Sequence, residues 1–96
     1  MTGVIIVPRI CWFYGIAIYM YYYDHHPPHF HAIYGEYDAA VAIDDGAIIE
    51  GSLPPKARSL VQDWALQSGD ELLANWQRAR DGQPLEQIVP LDSGIT

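Results

Sequence analysis

The sequence has few cationic side chains. Its 96 residues include five lysines and arginines against twelve aspartates and glutamates, which gives a formal charge of −7. Proteins bind a phosphate backbone chiefly through cationic side chains that displace condensed counterions. We therefore expect no direct binding to nucleic acid, whereas an acidic surface favours encounter with a basic partner.

Cysteine and long apolar runs are also scarce. Cys11 is the only cysteine, so no intrachain disulfide can form, and a lone thiol in an apolar stretch is usually a small core residue. The apolar run from Ile10 to Tyr23 is too short to span a bilayer, and Pro8 and Arg9 break the run before it. These features predict a cytosolic protein with neither an export signal nor a membrane anchor.

Half of the residues are apolar and 12% are aromatic, which is enough for a packed core. The length suits one hydrophobic core rather than two. The sequence therefore predicts a single domain over residues 1–96, with its core at about residues 10–91 and a frayed tail at residues 92–96. Internal repeats and low-complexity segments are absent from the sequence.

The first half of the chain has the pattern of strands joined by tight turns. Ile16 to Tyr23 is apolar on both alternations, as in a strand covered on both faces. Prolines cannot donate to a sheet ladder, so residues 24–28 should form a loop and extended structure should resume at His29. Tyr34-Gly35-Glu36-Tyr37 and Asp44-Asp45-Gly46-Ala47 both have the composition of hairpin turns.

The first of these turns fixes a register. With Gly35-Glu36 at its centre, Tyr34 pairs with Tyr37 and Phe30 with Val41, and alternate side chains point to opposite faces. The predicted core face carries Phe30, Ala32, Tyr34, Tyr37, Ala39, Val41 and Ile43. The other face carries His29, His31, Ile33, Asp38, Ala40 and Ala42, and it holds the candidate site.

The second half has helical spacing. Prolines near residue 55 suit the first turn of a helix over Pro55 to Gln67, and Ser68-Gly69-Asp70-Glu71 has the pattern of a capping box that starts a second helix. That helix should stop near Gly82-Gln83-Pro84, and Leu85 to Leu91 should add a short edge strand. The predicted fold class is α+β: an antiparallel β-meander of three to five strands, then an α-helical hairpin packed on one face, then a short C-terminal extended segment.

The segment from Asp24 to His31 concentrates the polar chemistry of the chain. His29 and His31 are two apart on a predicted strand, so both imidazoles share a face with Cβ atoms roughly 6–7 Å apart. That spacing can chelate one divalent transition metal, such as Zn, Ni or Fe(II), if a third ligand joins them. Asp24 or His25 from the loop, or Asp38 across the hairpin, could be that ligand.

Other roles for these residues remain open. The histidines could fix the loop by hydrogen bonding, with Asp24 accepting backbone N–H groups, or they could contact a partner or ligand. No catalytic residue can be assigned, because the sequence has no recognisable nucleophile motif. The tyrosines at positions 19 and 21–23 favour core and cross-strand packing over base stacking or a small-molecule sensor, and Trp64 and Trp76 are predicted core residues.

Several segments together resemble a bacterial family known as domain of unknown function 4160. The resemblance extends from about Ile10 to Leu91, and its most specific part is Pro27-Pro28-His29-Phe30-His31. The other matching segments are Phe13-Tyr14-Gly15-Ile16, Tyr21-Tyr22-Tyr23-Asp24-His25, Tyr34-Gly35-Glu36-Tyr37, Gly51-Ser52-Leu53-Pro54, Trp64, Glu71-Leu72-Leu73, Asn75-Trp76, Pro84-Leu85, Ile88 and Pro90-Leu91. His26 departs from the pattern, since relatives often carry a small or polar residue there.

The resemblance implies little about chemistry, because the family has no agreed activity. Its members look like short stand-alone bacterial genes that often lie beside a second small gene, an arrangement of the toxin–antitoxin kind. The first functional hypothesis is therefore a partner-binding subunit of a two-gene module, whose small protein partner contacts the sheet edges and the histidine face. The alternative is a metal-dependent hydrolase or nuclease that uses the His-x-His pair.

Overall fold

The computed structural model describes residues 8–91, so the predicted tail at residues 92–96 lies outside the described part of the chain. The five strands are β1 (Arg9–Phe13), β2 (Ile16–Tyr19), β3 (His29–Tyr34), β4 (Tyr37–Ala42) and β5 (Ile48–Gly51), and the two helices are α1 (Pro55–Gln67) and α2 (Gly69–Arg80). Each strand pairs antiparallel with the next, in the order β1-β2-β3-β4-β5. The predicted α+β meander is confirmed.

The first hairpin differs from the sequence prediction. β1 was not predicted, and it pairs with β2 through a turn at Tyr14-Gly15 in which both residues have positive φ, +52° and +79°. β2 ends at Tyr19, whereas the apolar pattern continues to Tyr23. The prediction was too long because tyrosines suit both strands and half-exposed loops, so composition alone does not mark the end of the strand.

The β3–β4 register agrees with the prediction. Tyr34 pairs with Tyr37 and Phe30 with Val41. On the core face Phe30 and Val41 are fully buried, while the two tyrosines near the turn are partly exposed. The opposite face, which we call the outer face, therefore carries His31 and Asp38 as expected.

The helices follow the sheet directly. α1 covers the predicted residues, but the capping-box prediction at Ser68 is wrong, since its side chain makes no capping hydrogen bond. Ser68 is buried, and its backbone N–H donates to the Trp64 carbonyl, so this residue closes α1. Asp70 and Glu71 still place negative charge in the first turn of α2, where the helix dipole favours it.

The core lies between the helices and one face of the sheet. The Trp64 ring centroid is 5.4 Å from that of Phe13 and 5.5 Å from that of Phe30, and Trp64 is fully buried. Cys11 belongs to the same cluster, and burial raises the pKa of its thiol. The lone cysteine is therefore a core residue, as predicted.

The predicted edge strand over Leu85 to Leu91 is wrong, since the chain after α2 runs alongside β1 without forming a strand. The Ile88 N–H donates to the Ile10 carbonyl at 2.8 Å, and the Gln87 side chain donates to the Arg9 carbonyl at 2.6 Å. Within residues 83–91 no strand is present, and the prolines in this segment lack the N–H groups that a ladder needs. No helix within residues 8–91 is both long and apolar enough to cross a membrane.

Candidate metal centre

The candidate centre lies where the loop of residues 20–28 joins β2 to β3. Three backbone hydrogen bonds attach this loop to its surroundings. The Met20 N–H donates to the Pro8 carbonyl at 3.3 Å, the Tyr23 N–H donates to the Ala79 carbonyl of α2 at 3.3 Å, and the Ile43 N–H donates to the Pro28 carbonyl at 3.1 Å. Tyr23 has φ +56° and the His26–Pro27 peptide is cis. The path of this loop places the Asp24 carboxylate next to the side chains of His29 and His31, at the start of β3.

Asp24 and the two strand histidines converge on one point. Asp24 Oδ2 is 3.0 Å from His29 Nε2 and 3.4 Å from His31 Nε2. One ligand atom from each of the three residues lies within 4.8 Å of the other two. Among residues 8–91 this is the set of histidine, cysteine and acidic side chains with the spacing of a metal site.

The orientation of the His29 ring is the most informative detail. Its Nδ1 is 2.7 Å from the Pro27 carbonyl oxygen, so Nδ1–H donates to that oxygen. Nε2 then faces the Asp24 carboxylate at 3.0 Å with a lone pair, unless it carries a proton as well. Two acceptors this close are stable only with a cation between them, which is either that proton or a metal ion.

Metal-binding histidines commonly have this arrangement. Their second ring nitrogen usually donates to a carbonyl or carboxylate, which fixes the tautomer and aims the other nitrogen at the metal. Two ligands at about 2.1 Å from a tetrahedral zinc ion are ~3.4 Å apart. The 3.4 Å contact from Asp24 to His31 equals that separation, and the 3.0 Å contact to His29 is shorter by 0.4 Å.

Aromatic side chains hold both imidazoles in place. His31 stacks on Tyr21, with ring centroids 4.1 Å apart and planes inclined by 22°. The His29 ring lies 5.4 Å from Trp76 of α2. The sequence predicts only packing roles for Tyr21 and Trp76, because their contacts with the histidines depend on the path of the loop and on where α2 packs.

Burial differs across the centre. The His29 side chain is 3% exposed, whereas those of Asp24 and His31 are each 16% exposed. Solvent therefore reaches the Asp24 and His31 side of the centre, while His29 anchors it to the core.

The Asp24 carboxylate is stabilised in its charged form. Burial alone would raise the pKa of Asp24, but hydrogen bonds from the His25 N–H and from His31 oppose it, as does attraction to the His29 and His25 rings. The result is a pKa of Asp24 below its ordinary value of 3.8. The centre therefore presents a carboxylate throughout the physiological pH range.

The remaining predicted residues lie outside the converging set. His25 has a 78% exposed side chain, with Nε2 3.7 Å from Asp24 Oδ1 and Nδ1 3.1 Å from the His26 carbonyl oxygen. Asp38 is exposed on β4, where it pairs with Ile33. Of the three candidates for a third ligand, Asp24 is therefore the one that joins His29 and His31 in the described structure.

Comparison with known proteins gives a family and no activity. The family model for a domain of unknown function, DUF4160, matches residues 15–77, which is most of the chain. No curated protein and no solved structure matches the sequence. The chain belongs to the DUF4160 family.

Proposed function

We propose that this DUF4160 protein binds one divalent transition metal through Asp24, His29 and His31. The observation that carries the proposal is the contact of His29 Nε2 with Asp24 Oδ2 while Nδ1–H is already donated to Pro27. The two histidines and the carboxylate form the donor set typical of Zn and of non-haem Fe(II) sites. Their shared approach to one point supports a single ion.

The proposed activity is metal-dependent hydrolysis. Three protein ligands leave a position for water, and a divalent ion lowers the pKa of a bound water enough to make hydroxide available near neutral pH. The partial exposure of Asp24 and His31 supports access of water and substrate from one side. A nuclease fits less well, because the chain is acidic and would repel a polyanionic substrate.

Elemental analysis of protein purified without an affinity tag tests the metal proposal. We expect close to one equivalent of a transition metal in the wild type, or uptake of one equivalent of added Zn²⁺ or Co²⁺. His31→Ala should lose this ion, because a bidentate remnant binds far more weakly. His26→Ala is the matched control, since it removes an exposed imidazole outside the converging set.

The outcomes separate the alternatives. Retention of the metal by His26→Ala and its loss from His31→Ala would support the centre. Less than about a tenth of an equivalent in the wild type, with no uptake on titration, would leave the histidines as structural hydrogen-bonding groups. If metal binds but Co²⁺-loaded protein shows no metal-dependent cleavage of ester or amide substrates, the centre would stand and the hydrolase assignment would fall.

The second candidate function is a cytosolic partner-binding subunit, as in a toxin–antitoxin-like pair. The observation in its favour is β5, which terminates the described sheet and carries Ile49 with 43% of its surface exposed. An exposed edge strand with an apolar side chain is a template for pairing with another chain. A small protein partner that adds a strand there would cover this edge.

Co-expression with the product of the neighbouring gene tests this second function. We expect a complex that survives physiological salt and is lost in Ile49→Lys. Leu66→Lys places the same charge on an exposed residue of α1 and should leave the complex intact. Recovery of the chain alone in every preparation would remove the idea.

A further inference from the structure

The outer face of the sheet has a trough beside the candidate metal centre. It is a depression open to solvent, with a volume of about 290 Å³, and it is lined by Tyr21, His31, Asp38, Ala40, Glu50 and Gly51. We call it the carboxylate trough. It shares His31 with the metal centre, so the two sites are continuous.

The strand register explains why a trough forms there. His31 of β3 pairs with Ala40 of β4, and Ala40 pairs with Glu50 of β5, so these residues form one row across three strands. The methyl group of Ala40 is the smallest side chain of the row and forms the floor. His31 with its stacked Tyr21 forms one wall, and Glu50 forms the other.

The trough is negatively charged. It contains the carboxylates of Asp38 and Glu50 and no lysine or arginine, and no ion pair to either carboxylate occurs within residues 8–91. The effect reaches Tyr21: burial raises the pKa of its hydroxyl, and the charges of Asp38 and Asp24 raise it further. A cation entering the trough would meet two carboxylates and an aromatic ring, which together form a favourable environment for it.

We propose that the carboxylate trough binds an ammonium or guanidinium group of the molecule on which the metal centre acts. Its volume is at the lower end of the range of about 300–1,000 Å³ for small-molecule pockets and it is open to solvent, so we assign to it one group of a larger ligand. The inference rests on the proposed metal centre for the reacting end of that ligand. It narrows the substrate class to cationic amides or esters, such as those of arginine or lysine.

The test is titration of metal-free protein with Nα-acetylarginine amide, followed by NMR at low salt. Nα-acetylcitrulline amide is the matched probe, because it has nearly the same shape and no charge. We expect the arginine probe to bind more tightly and to shift the resonances of Tyr21 and Ala40. Added salt should weaken its binding, because ions screen exposed charges such as those of Asp38 and Glu50.

Variants identify the groups responsible. Asp38→Asn with Glu50→Gln should weaken binding of the arginine probe by roughly 2- to 30-fold, the effect of losing two exposed ion pairs. Asp63→Asn removes one exposed charge from α1 and should change nothing. Equal binding of the arginine and citrulline probes, or unchanged binding by the double variant, would overturn the proposal.

Because the titration uses metal-free protein, its result does not depend on the metal proposal. Tighter binding of the arginine probe than of the citrulline probe would show that the trough acts without a metal, even if elemental analysis finds none. Metal uptake by the wild type with no preference for the arginine probe would refute the trough and leave the metal centre standing.

Discussion

Metal binding at Asp24, His29 and His31 should stabilise the fold by an amount that can be worked out. A ligand that binds only the folded state at 100 times its dissociation constant adds about 2.7 kcal/mol to the free energy of unfolding. For a domain of 60–100 residues each kcal/mol raises Tm by roughly 4–8 °C. Saturation with Zn²⁺ or Co²⁺ should therefore raise Tm by about 10–20 °C, and excess EDTA should reverse the shift.

The structure indicates which variant gives the cleanest comparison. His29 is buried against Trp76, so His29→Ala would also leave a cavity and lower the stability of the metal-free protein. His31 is partly exposed, so His31→Ala should mainly remove one ligand. Scanning calorimetry should show the metal-induced shift in wild type and His26→Ala and less than about 3 °C in His31→Ala, on the same scale of roughly 4–8 °C per kcal/mol. An equal shift in all three proteins would show that the metal does not bind through His31.

Three further predictions concern the fold and its ionisation. Gly51 has φ +75°, and a Cβ added there would overlap the Asp38 carbonyl oxygen, so Gly51→Ala should lower the free energy of unfolding in urea by about 2–5 kcal/mol. Gly35 has φ +58° and open space around it, so Gly35→Ala should lower it by only ~1 kcal/mol. Equal losses of stability in the two variants would contradict the packing at β5. The pKa of Asp24 is lower in the folded than in the unfolded chain, so its contribution to stability is present above about pH 4 and is lost as pH falls through the folded-state pKa. The difference in unfolding free energy between wild type and Asp24→Asn should therefore shrink on acidification. A difference that stays constant with pH would contradict the lowered pKa of Asp24. Buried Cys11, with its raised pKa, should react with a thiol reagent at the rate of unfolding, and rapid modification of the native protein would show that it is exposed.

The elements that the sequence predicts well are those with strong local signals. The prolines before α1 mark the start of that helix, and Gly35 marks the turn between β3 and β4. Both α1 and the β3–β4 register are as predicted. β1 was not predicted because the turn that follows it places Tyr14 at positive φ, where Asn, Asp or Gly is the usual residue. The capping-box prediction at Ser68 was wrong because the same residue type can end one helix or begin the next.

The site was predictable in its strand part and not in its loop part. Alternation along β3 is enough to place His29 and His31 on one side, since the side-chain period of a strand is two. The choice of Asp24 over His25 or Asp38 depends on the path of residues 20–28, and a path of that kind has no periodicity. The stacking of Tyr21 on His31 depends on the same path, because β2 has already ended at Tyr19.

Metal binding at Asp24, His29 and His31 is tested most directly by a crystal structure. The crystals are grown with Co²⁺ or Zn²⁺, and diffraction is recorded above and below the metal absorption edge. We expect one anomalous peak at about 2.0–2.2 Å from Asp24 Oδ2, His29 Nε2 and His31 Nε2. Crystals without that peak, in which His29 Nε2 still contacts Asp24 Oδ2 directly, would show that a proton and not a metal ion joins them.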